Sequence, residues 1–155
     1  MSFLIYGAAG YTGKITVESA VKQGLKPTIA GRTESKIKPI ADAFGLPYLI
    51  FGLDDIDNIT SHLKNFSLVL NCAGPFSSTI KPMLKTCLQS GTHYLDITGE
   101  IEVFEYAKAF GKKIIERNII VMCGVGFDVV PTDCMAKHLH EKMPDATHLE
   151  LAWTG

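Results

Sequence analysis

Phe3-Leu4-Ile5-Tyr6-Gly7-Ala8-Ala9-Gly10-Tyr11-Thr12-Gly13 stands at the start of the chain: four apolar or aromatic residues, then glycines spaced as G-x-x-G-x-x-G. The apolar run has the length of a buried strand. The segment from Thr12 to Gly24 has a helical pattern, with Ile15, Ala20 and Val21 expected to face inward and Gly24 to end it. A strand, a glycine loop and a helix in that order suit an anion, because N–H groups and peptide dipoles at a helix N-terminus favour negative charge. A side chain at position 7 or 10 would obstruct the turn or the approach of a pyrophosphate. One at position 13 would hold the helix away from the strand. The expected phosphate seat is Gly7, Ala9, Gly10, Tyr11, Thr12 and Gly13; the alternative is three turn glycines without a ligand.

About twenty residues further on, a second apolar run, Thr28–Ala30, ends at Gly31-Arg32-Thr33. An acidic residue here would accept a hydrogen bond from a ribose 2′-hydroxyl. Arg32 instead offers a guanidinium, which can grip a 2′-phosphate with two hydrogen bonds and stack on adenine. Thr33, Ser35 and Lys36 can add donors. The expected cofactor is therefore NADP(H) in preference to NAD(H).

The same alternation continues along the chain. Glu34–Phe44 reads as a helix, with Ile37, Ile40, Ala41 and Phe44 on one face, and Pro47–Phe51 as a strand. Asp54-Asp55 opens a weaker helix carrying Ile56, Ile59 and Leu63. Ser67–Asn71 is a continuous apolar run of the kind found in parallel strands buried on both faces. Ile80, Met83, Leu84, Cys87 and Leu88 mark a helix ending at Gly91. A strand at His93–Leu95, a helix over Glu102–Arg117 and a strand at Ile119–Cys123 follow. Six strands alternating with helices predict an α/β fold: a Rossmann-type doubly wound parallel sheet with helices on both faces. Residues 1–130 would form this domain. Residues 131–155 would supply a helix from Pro131 to Lys142 and the start of a second domain, with a strand beginning at Leu149–Trp153.

Ligands of such sheets lie across the C-terminal strand ends. Asn71-Cys72-Ala73-Gly74-Pro75-Phe76 follows the fourth strand, and its Gly74 and Pro75 could form a backbone wall or simply turn the chain into the next helix. Asp96-Ile97-Thr98-Gly99-Glu100 follows the fifth. Asp96 and Glu100 there are either paired carboxylates or, as favoured for Glu100, part of a helix cap. After the sixth strand, Pro131 and Asp133 suit the first turn of a helix, and structural roles are favoured for Asp128 and Asp133 over catalytic ones.

Composition bounds the function. The chain has 155 residues, 46% of them hydrophobic and 20% charged, with a net charge of −1. That suits one globular domain and gives no global field for nucleic acid. No apolar run reaches membrane-spanning length, and the N-terminus lacks a secretory leader. Four cysteines without a C-x-x-C pair suit reduced thiols, and with them a cytoplasmic location. Tyr-x-x-x-Lys is absent, so no acid–base pair of the short-chain dehydrogenase type is expected and no catalytic residue is assigned. His138 and His140 would point to opposite sides of a helix, and no metal site is expected.

Taken together, residues 7–13, 30–32, 71–76, 94–100 and 124–133 resemble the N-terminal domain of saccharopine dehydrogenase-like oxidoreductases, particularly the trans-acting enoyl reductase branch. The resemblance implies hydride transfer in a cleft between this domain and a following substrate and dimerisation domain. It places Gly7, Gly10, Gly13 and Arg32 on the cofactor, and Ala73-Gly74-Pro75 near the nicotinamide with Thr98, Gly99 and Glu100 beside them. Gly126-Phe127-Asp128 would border the substrate cleft. The full-length protein would be an oxidoreductase acting on a small carbonyl, imine or enoyl substrate; the alternative is a dinucleotide-sensing module. Val129, Val130, Met135, Leu139, Leu149, Leu151 and Trp153 would form an apolar surface able to self-associate.

Overall fold

In a computed structural model that describes residues 2–127 and 129–152, strand β1 (Phe3–Tyr6) lies between β2 (Thr28–Gly31) and β4 (Leu68–Asn71). With β3 (Tyr48–Ile50), β5 (His93–Asp96) and β6 (Val121–Met122), these form one parallel sheet in the order β3-β2-β1-β4-β5-β6. This is the doubly wound Rossmann order, in which the direction of winding reverses between β1 and β4 and opens a crevice there.

The helices are α1 (Tyr11–Lys22), α2 (Glu34–Phe44), α3 (Ile56–Leu63), α4 (Phe76–Ser90), α5 (Ile101–Ala109), α6 (Gly111–Glu116) and α7 (Val130–Lys142). Side chains of β1 alternate between two cores, as the pleat requires. Leu4 and Tyr6 join Ile59, Leu63, Ile80, Leu84 and Val103 on the face covered by α3, α4 and α5. Ile5 joins Val17, Ile37 and Ala41 on the face covered by α1 and α2.

Several expectations are corrected. Ile15 is exposed; the buried stripe of α1 is Gly13, Val17 and Ala20. At 100° per residue, Ile15 lies well away from that stripe, whose origin is fixed by the close approach of Gly13. Phe44 is exposed, and Leu46 packs into the core in its place after the chain turns at Gly45. The helix expected over Glu102–Arg117 is broken at Phe110 (φ −94°, ψ 4°) into α5 and α6. A continuous apolar stripe persists across the break because both pieces pack on the same side, through Phe110 and Ile114. The last strand shrinks to Val121–Met122. Residues 149–152 form no strand, and Trp153 and Asp128 lie outside the described residues. Helix α7 starts as expected, with Pro131 and Asp133 in its first turn, and none of its residues is buried.

Candidate dinucleotide site

The glycine loop is fastened to the second strand: the N–H groups of Gly7 and Ala8 both donate to the Ala30 carbonyl, at 2.9 and 3.2 Å. Gly7 adopts a φ of +83°, and a Cβ there would lie 2.8 Å from the backbone nitrogen of Ala73. A Cβ on Gly13 would collide with the Gly7 carbonyl oxygen and lie 2.9 Å from the Ala8 Cα. These two glycines answer to the fold itself. Gly10 differs. Its φ of −71° is open to any residue, and a Cβ would meet only the Gly7 oxygen, at 3.3 Å. Gly10 is the N-cap of α1, with no side-chain cap and no acidic residue in the first turn. The first N–H groups of a helix have no intrahelical acceptor, so this end remains a seat for an anion.

A cavity of about 290 Å³ lies over this loop, lined by Gly7, Ala9, Gly10, Arg32, Thr33, Lys36, Cys72, Ala73 and Gly74 among others. A second, of about 650 Å³, adjoins it and shares Tyr6, Arg32, Ala73 and Gly74. It runs past Leu53, Asp54 and Pro75 to Lys81 and Lys85 on α4. Together they form a groove across the C-terminal ends of β1, β2 and β4. Among the described residues Arg32, Lys36, Lys81 and Lys85 form no ion pair.

Nine of the expected contact residues have their places here. Gly7, Ala9, Gly10, Arg32, Thr33, Ala73 and Gly74 line the first cavity, and Pro75 lines the second. Gly13 lies buried behind the loop. Tyr11 and Thr12 are exposed on the first turn of α1, outside the cavity lining. Thr98 and Gly99 line neither cavity: Thr98 is fully buried and Gly99 is exposed. Missing from the sequence reading were Tyr6, Leu53, Asp54 and the two α4 lysines. Leu53 and Asp54 had a usable signal, since they follow β3 and every residue just past a parallel strand falls on this edge.

Behind the groove is a buried polar network. The Asp96 carboxylate is fully buried and accepts hydrogen bonds from the backbone of Thr98 (3.1 Å), the backbone of Gly124 (2.9 Å) and the Tyr94 hydroxyl (2.8 Å). Asn71 donates to the Tyr94 hydroxyl and to Thr79, and its carbonyl oxygen accepts from the Ala73 N–H at 3.1 Å. Asp96 is thus not one of a catalytic carboxylate pair; it ties the loops after β5 and β6 together. Glu100 does stand at the N-cap position of α5, but its side chain caps no N–H there. It reaches across to α4 instead, where Oε1 accepts from Phe76 N and Oε2 from Ser77 N, both at 2.8 Å. Desolvation pushes its carboxyl upward, but those two N–H groups and the Ser77 hydroxyl outweigh it and hold the pKa below the usual value.

Burial raises the nearby thiols and phenols. Cys72 is pushed up to about 11, chiefly by desolvation, and Cys123 to about 12 by desolvation and the neighbouring Asp96. Tyr6 rises to about 12 because desolvation outweighs the charge of Arg32, and Tyr94 is raised well above the ordinary tyrosine value by burial and Asp96. These groups stay protonated at neutral pH; the Tyr6 hydroxyl donates to the Phe51 carbonyl and the Tyr94 hydroxyl to Asp96. Among the described residues no group of three His, Cys, Asp or Glu could hold a metal ion, and no helix is long and apolar enough to cross a membrane.

The family described as the saccharopine dehydrogenase NADP binding domain matches residues 3–122. The chain belongs to that family. A saccharopine dehydrogenase-like oxidoreductase of Mus musculus is 26% identical over 160 residues, covering 90% of this chain and 37% of its own length. A trans-acting enoyl reductase of Mycobacterium ulcerans is 23% identical over 160 residues, covering 98% of this chain and 38% of its own. Among solved structures, apo saccharopine dehydrogenase from Saccharomyces cerevisiae superposes with a TM-score of 0.77 over 90% of this chain and 31% of that one, at 16% identity. The chain therefore spans well under half the length of the relatives it matches, and at these identities the structural likeness concerns the fold.

Proposed function

We propose that this chain is the NADP(H)-binding part of an oxidoreductase that acts on a small carbonyl, imine or enoyl substrate. The observation that carries the reading is the pairing of a helix N-terminus at Gly10 that no side chain caps with Arg32 on the rim of the same cavity. The residues fit the cofactor. The first-turn N–H groups of α1, reached past Gly7, Ala9 and Gly10, would receive the pyrophosphate, with Tyr11 and Thr12 at its outer side. Arg32, with Thr33 and Lys36, would hold the 2′-phosphate. Leu53 and Tyr6 would flank the adenosine, and Ala73, Gly74 and Pro75 would wall the nicotinamide side. When bound, the cofactor supplies or accepts the hydride; the protein orients it and excludes water. Family membership supports the choice of phosphate, and the named activities of longer relatives support the reaction class. Four free cysteines support a reducing compartment such as the cytoplasm.

Calorimetric titration with NADPH and NADH tests the reading. NADPH should bind more tightly, and Arg32→Ala should lower its affinity roughly 10- to 150-fold, toward the NADH value, as expected for a charge-assisted bond worth about 1.5–3 kcal/mol. Equal affinity for the two cofactors in the wild type, unmoved by Arg32→Ala, would refute the assignment of Arg32.

A further inference from the structure

The wall formed by Ala73, Gly74 and Pro75 is held from both ends. At one end, the Ala73 N–H donates to Asn71, while the Ala73 carbonyl accepts from the Thr79 hydroxyl at 2.8 Å. At the other, the first two N–H groups of α4, directly after Pro75, are taken by the two oxygens of Glu100. Glu100 is in turn anchored: its own N–H donates to the Thr98 hydroxyl at 3.0 Å, Thr98 N–H donates to Asp96, Asp96 accepts from Tyr94, and Tyr94 accepts from Asn71. The path returns to its starting residue. It forms a closed circuit of hydrogen bonds around the turn that lines the groove, and no buried side-chain nitrogen or oxygen in the described residues lacks a partner.

The circuit also settles a competition between two helix ends. Both α1 and α4 open onto the groove, and the first N–H groups of each lack an intrahelical acceptor, the feature that draws an anion to a helix N-terminus. The α1 end carries no acidic residue or side-chain cap, whereas the α4 end is filled by a carboxylate from 24 residues further along the chain. A diphosphate then has one seat, and its register along the groove is set.

Resting on the cofactor reading above, we propose that Glu100 is a positioning residue: by filling the α4 end it fixes the Ala73–Pro75 wall against the nicotinamide half of the cofactor. It touches no reacting atom and acts through the backbone it holds. A glutamine cannot reproduce this, because its amide nitrogen would face a second N–H donor.

The test compares NADPH with 2′-phospho-ADP-ribose, which shares every part of the cofactor except the nicotinamide ring. Both are titrated against the full chain, its Glu100→Gln variant and its Glu100→Asp variant, with the fold of each checked by thermal melting. Glu100→Gln should weaken NADPH about tenfold and leave 2′-phospho-ADP-ribose within about twofold. Glu100→Asp, which keeps the charge but is one methylene shorter, should recover part of the loss and is the fallback if the glutamine variant does not fold. Equal weakening of both ligands, or of neither, overturns the positioning role. Failure of the wild type to bind either ligand overturns the cofactor reading itself, and binding of NADPH without 2′-phospho-ADP-ribose overturns the positioning role, so the two failures are told apart.

Discussion

Gly13 and Gly10 are three residues apart and answer to different demands. Alanine at 13 must push the Gly7 carbonyl aside, and backbone has little room to move, so Gly13→Ala should destabilise the fold by on the order of 1–3 kcal/mol in urea denaturation. Alanine at 10 meets one oxygen at 3.3 Å in a backbone conformation it tolerates. Gly10→Ala should leave stability within about 1 kcal/mol, because the lower entropy of the unfolded chain offsets the tight contact. It should cost NADPH affinity instead, which calorimetry on the same preparation would show. The thiols divide in the same way. Cys72 and Cys123, held protonated, should resist iodoacetamide at pH 8, while exposed Cys134 should be alkylated first, as peptide mass spectrometry would reveal. The places of Gly7, Gly10, Gly13 and Arg32 were readable from the sequence because each is set by local backbone or by its distance from the loop. The role of Glu100 was not, since its partners lie 23 and 24 residues away and the sequence places it just as well at the start of its own helix.

Helix α4 depends on that distant carboxylate. Its folded pKa is lowered, so the stabilisation from Glu100 is fully present above the unfolded value of 4.5 and is lost as pH falls through the folded pKa. Wild type should therefore lose stability more steeply than Glu100→Gln between about pH 5 and pH 3, and the two unfolding curves should converge at the acid end. The break between α5 and α6 makes a second prediction. A Cβ on Gly111 meets nothing within 4 Å, and Gly111 sits in the first turn of α6. Gly111→Ala should stabilise the protein by roughly 0.4–1 kcal/mol, a few degrees in Tm. Helices and strands were legible wherever the apolar period was long. The break at Phe110 was hidden because Val103, Ala107, Phe110 and Ile114 keep one stripe through it, and periodicity reports the buried face without reporting the hydrogen bonds along the axis.

Across the whole molecule, the doubly wound parallel sheet of six strands followed from the alternation of elements, whereas its strand order is seen only in the fold. The tail did not follow from that alternation. Helix α7 stands with Val130 and Met135 exposed, and Leu149 and Leu151 beyond it are exposed as well, with no strand formed. At micromolar concentration and above, the chain should self-associate through this surface, giving a sedimentation coefficient that rises with concentration; Met135→Lys with Leu149→Lys should abolish the rise. The hydrogen-bond circuit around the Ala73–Pro75 turn has an effect that isotope labelling can read. Amide protons are released to deuterated water only when their acceptors let go, and loops ordinarily let go first. Here the amides of Ala73, Phe76, Ser77, Thr98 and Gly124, all outside the strands, donate to anchored side-chain acceptors, four of them to carboxylates linked through the same circuit. The rim of the groove should keep its protons about as long as the sheet beneath it, and give them up together when the domain opens as a whole.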